Sequence, residues 1–221
     1  MAELSEVDRV FSTYRPDSVV SRLGRGELDL DDCPPEVGEV LALGARAAEE
    51  SGGAFSVWLP VDTPEGDGRR RLDPSGVVKG WAAERAARHL DALDGTDHCL
   101  SVGGDITCRA APTSEPWRIG IEDPYDPDRV LAVVPLRTGA VATSGTAHRG
   151  AHLVDARTGL APTGVASVTV IGRSLTWADI DATAAYAQGD RAAAWLRTRP
   201  VRSALVVTSD GRATTVVPGE A

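Results

Sequence analysis

The sequence predicts an α+β fold. Three observations carry that expectation. Apolar stripes of helical period are interspersed with short runs of strand character; the strand runs are joined as hairpins rather than by regular βαβ crossovers; and 221 residues with 42% hydrophobic content suffice to bury one large core. Residues 1–221 are therefore expected to form a single domain, with two small domains as the alternative.

Val7, Val10, Phe11 and Tyr14 stand at i, i+3, i+4 and i+7, a helical stripe that ends at Pro16. A second helix follows Pro34 and Pro35 with Val37, Val40, Leu41 and Ala48 on its apolar face. Gly52 and Gly53 mark its end, because glycine accepts the left-handed conformation after a last turn. Residues 55–59 read as a short strand, and residues 63–71, TPEGDGRRR, as an exposed, mobile loop. Ala83, Ala86, Ala87, Leu90 and Leu93 stripe a third helix that starts directly after Gly80, which makes 73–80 a loop feeding a helix N-terminus. Strand signals bounded by Gly, Pro or Asp follow at 98–102, 117–122, 130–136, 140–143 and 167–171. A fourth helix spans about 177–197, and 204–208 with 213–217 form a hairpin around Ser209, Asp210 and Gly211.

A net charge of -9 and a pI near 4.9 argue against a nucleic-acid partner, which calls for a basic patch to neutralise backbone phosphates. The N-terminal MAELSEVDRVF lacks a basic start followed by an apolar stretch, and no run of about 18 apolar residues occurs, so a membrane role is not expected and the chain reads as soluble and cytoplasmic. Cys33, Cys99 and Cys108 are odd in number and lack CxxC spacing, the pattern of reduced, mostly buried thiols.

Four segments between the apolar runs have the composition of loops around a phosphate-bearing ligand: DPSGVVKG at 73–80, SVGGD at 101–105, ATSG at 142–145 and HLVDARTG at 152–159. Lys79, at the expected helix start, can set its ammonium against a diphosphate where the helix dipole adds positive potential, or be a solvated surface lysine. Gly103, Gly104 and Asp105 let a strand end approach a ligand closely. Thr143 and Ser144 offer hydroxyl hydrogen bonds or close a turn. In ADIDAT, at 178–183, Asp179 and Thr183 are four apart on a helix, so their oxygens share a face and suit a hard cation such as magnesium. The residues alone leave a second reading open, in which Asp179 caps the helix start and Thr183 simply packs.

In order and spacing these segments, with EVDRVFSTYRPDSVVSRL at 6–23, GGAF at 52–55 and WRIGIEDP at 117–124, resemble the FAD:protein FMN transferase (ApbE) family over nearly the whole chain. The resemblance implies a T-fold-like domain that binds FAD as substrate, uses Mg2+, and transfers FMN to a Thr or Ser hydroxyl of an acceptor protein with AMP leaving. It implies Gly76 (by its carbonyl), Asp179 and Thr183 as metal ligands, and His152 and Asp179 as catalytic, His152 serving as general base or phosphate-orienting group. It further implies flavin nucleotide contacts at Tyr14, Ala54, Phe55, Ser56, Asp73, Lys79, Gly103, Gly104, Asp105, Thr143, Ser144 and Val154; for Tyr14 and Phe55 core packing is the competing explanation. Arg157 is expected to pair with Asp155 in the turn after His152. The chain resembles a short form that starts at the helix after the family's Met-Gly-Thr strand. Ser56 replaces a family aspartate, Gly24 an asparagine, Pro74-Ser75 a Leu-Gly pair and Ala156 a proline. A non-catalytic FAD-binding or storage protein and a hydrolase giving FMN and AMP are the alternatives to a transferase.

Overall fold

The structure is a computed structural model that describes residues 2–61, 68–145 and 153–219. Its helices are α1 (Ala2–Phe11), α2 (Val19–Gly24), α3 (Pro35–Glu50), α4 (Ser75–Asp91), α5 (Leu175–Ala187) and α6 (Ala192–Leu196). Its strands are β1 (Trp58–Pro60), β2 (Arg70–Leu72), β3 (His98–Val102), β4 (Asp105–Arg109), β5 (Trp117–Asp123), β6 (Asp126–Leu136), β7 (Thr138–Gly145), β8 (Val165–Gly172), β9 (Ser203–Thr208) and β10 (Ala213–Val216). The α+β expectation is met: β10-β9-β8-β7-β4-β3 form one sheet whose pairings are all antiparallel, and β1-β2 and β5-β6 form separate two-stranded ribbons.

Alternation along β7 and β8 splits the core into two faces. Ala140, Ala142, Val168 and Val170 pack under α5, together with Leu175, Ala178, Ala182 and Ala185 from that helix. Val141 and Ile171 point the other way, against Ile119 of β5 and Leu136 at the end of β6, so the β5-β6 ribbon covers the far side of the sheet. α5 is buried nearly all round, enclosed between layers, so its two carboxylates, Asp179 and Asp181, each need a cation. Its outer surface, Ile180 and Ala184, belongs to a second core cluster with Val37 and Val40 of α3 and Val77 and Trp81 of α4, to which α1 adds Val10 and Phe11.

Several boundaries differ from the sequence reading. α1 stops at Phe11, before Tyr14. α3 buries Ala47 rather than Ala48. Residues 55–57 form no strand; the short strand is β1. The start of α4 at Ser75 turns the expected 73–80 loop into mostly helix. Arg70 and Arg71, expected in an exposed loop, belong to β2 and pair with Pro60 and Leu59, while 62–67 lie outside the described residues. The expected fourth helix is broken at Gly189, whose φ of 57° and close approach to the Thr163 carbonyl leave no room for a side chain. Of the cysteines only Cys108 is buried; Cys33 is intermediate and Cys99 exposed.

Candidate active site

The contact between α4 and α5 builds the polar part of the site. A Cβ at Gly80 would lie 2.8 Å from both Asp179 Cβ and the Leu175 carbonyl oxygen, so glycine is what lets the helices touch there. Glu84, one turn further along α4, fixes the alignment: its Oε2 accepts from Ser174 Oγ at 2.7 Å, Thr176 N at 2.8 Å and Thr176 Oγ1 at 2.7 Å, tying down the start of α5. Asp179, mid-helix rather than at its cap, is thereby held with Oδ2 accepting from Gly80 N at 2.9 Å. In a regular helix that amide serves the Gly76 carbonyl four residues back, so Asp179 competes for the usual donor of that carbonyl.

Lys79 reaches between two carboxylates, its Nζ 2.6 Å from Asp105 Oδ2 and 3.2 Å from Asp179 Oδ1. Burial opposes its charge, but Asp179 and Asp105 outweigh that and hold the ammonium above its ordinary pKa. Burial dominates for Asp179 and pushes its carboxyl above the usual carboxylate range; Lys79 opposes the shift and Asp105 adds to it. Asp105 is delivered by the β3-β4 hairpin, whose turn Gly103-Gly104 has φ of 59° and 92°, the backbone of a two-residue type I′ turn that glycine adopts without strain. Its Oδ1 accepts from Thr143 N at 3.1 Å, joining the turn to β7. Thr143 Oγ1 shares a hydrogen bond with Thr169 Oγ1 at 2.8 Å, and Ser144, on the helix-facing side of β7, sits 3.0 Å from Thr183 Oγ1. A Cβ at Gly76 would lie 3.7 Å from Thr183 Cγ2, so Gly76, Thr183 and Ser144 are neighbours.

These groups open into a cavity of about 420 Å³. Of the expected site residues, Ala54, Phe55, Ser56, Asp73, Gly76, Lys79, Gly103, Gly104, Thr143, Ser144, Val154, Asp179 and Thr183 line it, and Asp105 reaches it through Lys79. Asp73 caps the start of α4, with Oδ1 accepting from Ser75 N at 3.2 Å, while Oδ2 pairs with Arg71 at 2.8 Å. Ser56 stabilises the approach to β1 by accepting from Trp58 N at 3.0 Å. Phe55 packs in the helical core, as the competing explanation expected, and also lines the cavity with its ring edge against Gly76. Tyr14 does not join the others: it is 96% exposed and outside the cavity lining, because α1 ends before it. His152 and His148 lie outside the described residues. Arg157 pairs with Asp155 as expected, Nη2 to Oδ2 at 2.7 Å, in the turn just past Val154. His89 and His98 stand away from the cavity, near Glu3 at 2.8 Å and Asp91 at 3.4 Å.

The sequence reading did not single out the apolar wall: Ile106, Ile119, Ile121 and Val141. Alternation marks Ile119 and Ile121 as inward-facing, but only the packing of the ribbon against the sheet shows that they face a void. Among the described residues no three His, Cys, Asp or Glu side chains converge as a metal cluster; the available hard donors are the Asp179 carboxylate, the Thr183 and Ser144 hydroxyls and the Gly76 carbonyl. No helix among the described residues is long and apolar enough to cross a membrane.

The sequence model of the ApbE family matches residues 1–60 and 63–206. The chain belongs to the ApbE family. A FAD:protein FMN transferase of Rhodobacter capsulatus is 34% identical over 64% of this chain and 29% of its own length. One of Klebsiella pneumoniae is 26% identical over 80% of this chain and 67% of its own. The chain thus spans under a third of the first relative and about two thirds of the second. Among solved structures, the apo Pseudomonas stutzeri flavinyl transferase ApbE matches with a TM-score of 0.80 and 26% identity, covering 99% of this chain and 84% of that one. The resemblance read from the motifs and the ApbE fold therefore agree.

Proposed function

We propose that this chain, acting as one flavin-handling unit, transfers the FMN half of FAD to a serine or threonine hydroxyl of an acceptor protein and releases AMP. One observation carries the reading. Lys79, Asp105, Asp179 and the Ser144–Thr183 hydroxyl pair converge on a single cavity in a chain whose named relatives are FAD:protein FMN transferases. The volume and the isoleucine-lined wall suit a flat ring system, and the lysine beside the glycine turn suits a diphosphate.

In this reading the acceptor oxygen attacks the phosphorus of the FMN half. The bond from that phosphorus to the bridging oxygen breaks, AMP departs with the bridging oxygen, and the hydroxyl proton passes to His152. Lys79 exchanges part of its pairing with Asp105 and Asp179 for the diphosphate, so its charge is already in place when negative charge shifts toward the leaving AMP. Asp179, Thr183 and the Gly76 carbonyl fit a magnesium ion: all three are hard oxygen donors, Gly76 and Thr183 are adjacent, and the amide that would satisfy the Gly76 carbonyl is shared with Asp179. Bound there, magnesium would neutralise charge on the diphosphate.

The test is incubation of the full chain with FAD, magnesium and an acceptor domain, reading in-gel flavin fluorescence and AMP. Fluorescent acceptor and equimolar AMP, both lost in Asp179→Ala, are expected. AMP and FMN without labelling would replace the transferase by a hydrolase, and tight FAD binding with neither product would make it a storage protein.

A further inference from the structure

Two of the three cysteines face each other across the hairpin that carries the glycine turn. In the β3-β4 register Cys99 is directly opposite Cys108. The two-residue Gly103-Gly104 turn makes Val102 and Asp105 the hydrogen-bonded pair that closes the hairpin. Antiparallel pairs alternate outward from there. Ser101–Ile106 is non-hydrogen-bonded, Leu100–Thr107 bonded, and Cys99–Cys108 non-hydrogen-bonded again. At such a pair the Cα atoms are about 4.5 Å apart and the side chains lie side by side on one face. A disulfide needs Cα atoms about 4.4–6.8 Å apart and Cβ atoms about 3.5–4.5 Å apart. The pairing thus supplies the required geometry without backbone movement.

Access is asymmetric in the way thiol–disulfide exchange uses. β3 is the outermost strand of the sheet and Cys99 is exposed on it, whereas Cys108 is 2% exposed beneath the β5-β6 ribbon, its Sγ donating to the Leu136 carbonyl at 3.7 Å. Burial raises both thiols, and with the neighbouring Cys99 it pushes Cys108 up to about 11; the exposed Cys99 is the thiol that a small disulfide can reach, so the first attack belongs to it. Cys33 takes no part; it lies next to α3, with its Sγ donating to the Asp29 carbonyl at 3.4 Å.

We propose that Cys99 and Cys108 form a reversible dithiol–disulfide site, oxidised by low-molecular-weight disulfides. The Cys99 thiolate attacks one sulfur of the small disulfide, its S–S bond breaks, and one small thiol leaves. The Cys108 thiol then gives up its proton and its sulfur attacks Cys99 Sγ, expelling the second small thiol. The small disulfide is reduced to two thiols and the two cysteines are oxidised to one disulfide. The bond clasps β3 to β4 beside Gly103, Gly104 and Asp105, the turn that borders the cavity and holds Lys79. This inference stands independently of the flavin reading.

The test is intact-mass and peptide mapping of the folded full chain after incubation with oxidised glutathione, with and without later dithiothreitol. Expected are the loss of two hydrogen masses, a linked peptide pair joining Cys99 to Cys108, full reversal by dithiothreitol, the same result in Cys33→Ser, and none in Cys99→Ser. A stable glutathione adduct on Cys99 with Cys108 still free would overturn the proposal, as would a linkage to Cys33 or no change in mass.

Discussion

Asp179 and Asp181 stand two residues apart on α5 and end in opposite surroundings. Each is a buried carboxylate that meets one cation shared with a second acid: Lys79 with Asp105 on one side, Arg199 with Glu50 on the other. Arg199 is held as a plane. Its Nε donates to Asp181 at 2.9 Å, its Nη2 to Glu50 at 2.6 Å, and its guanidinium lies 5.0 Å from the Trp195 ring centroid. Lys79 is a point charge on a rotatable stem, its side chain 24% exposed against 9% for Arg199, at the wall of the larger cavity. Asp181 and Arg199 border a smaller space of about 190 Å³, where the guanidinium stays pinned by its two acids and by Trp195. The contrast teaches that burial of an ion pair does not by itself mark a site. What marks one is a cation that a ligand can reach and whose partners it can replace.

The largest effect is expected at the pinned Arg199 pair. Arg199→Met leaves Asp181 and Glu50 without their shared cation and is expected to cost about 3–5 kcal/mol of stability, read by urea unfolding, while FAD affinity of the folded fraction stays unchanged. On the open side Asp179→Ala is expected to lower flavin transfer by about 100-fold or more, with circular dichroism of the folded chain preserved. Gly80→Ala probes the helix contact itself: its Cβ meets Asp179 and the Leu175 carbonyl at 2.8 Å, and a loss of about 1–3 kcal/mol should accompany lower activity. A Gly80→Ala chain as stable and active as the parent would show that the two helices are not held by that approach.

A further effect is a pH dependence. Burial pushes Asp181 up to about 6 from the ordinary 3.8, with Arg199 opposing. Between those values the folded chain keeps a proton that the unfolded chain has released, so this group's contribution is full below pH 4 and is lost as pH rises through 6. A decline of about 3 kcal/mol across that window is expected by unfolding measurements at a series of pH values, reduced but not abolished in Asp181→Asn, where Asp179, also raised by burial, still titrates.

Much of this was legible in the sequence because the signals were local. The i, i+4 spacing of Asp179 and Thr183 places both on the cavity side of α5, and the Val37 and Val40 stripe gives α3. The start of α4 was hidden by its own function: Gly76 and Gly80 have low helix propensity, yet both are required by tertiary contact, one against Phe55 and the other against Asp179. β4 was missed because DITCR is short and holds only two apolar residues, Ile106 and Cys108; it is recruited by its neighbours β3 and β7. α2 is only six residues long and rests on the Ser18 cap, whose Oγ accepts from Ser21 N at 3.0 Å. Tyr14 misled because a stripe predicts a shared face but not where the helix stops. The Ile119 and Ile121 wall is non-local: alternation marks both as inward-facing, but no spacing within the chain says that they face a cavity.

The most direct measurement is calorimetric titration of FAD, and separately of riboflavin, into the parent chain and Asp179→Ala, with and without magnesium. FAD uptake should be strengthened by magnesium in the parent only, and riboflavin, which lacks the diphosphate, should bind both chains alike. FAD uptake that is indifferent to magnesium and equal in the two chains would contradict it.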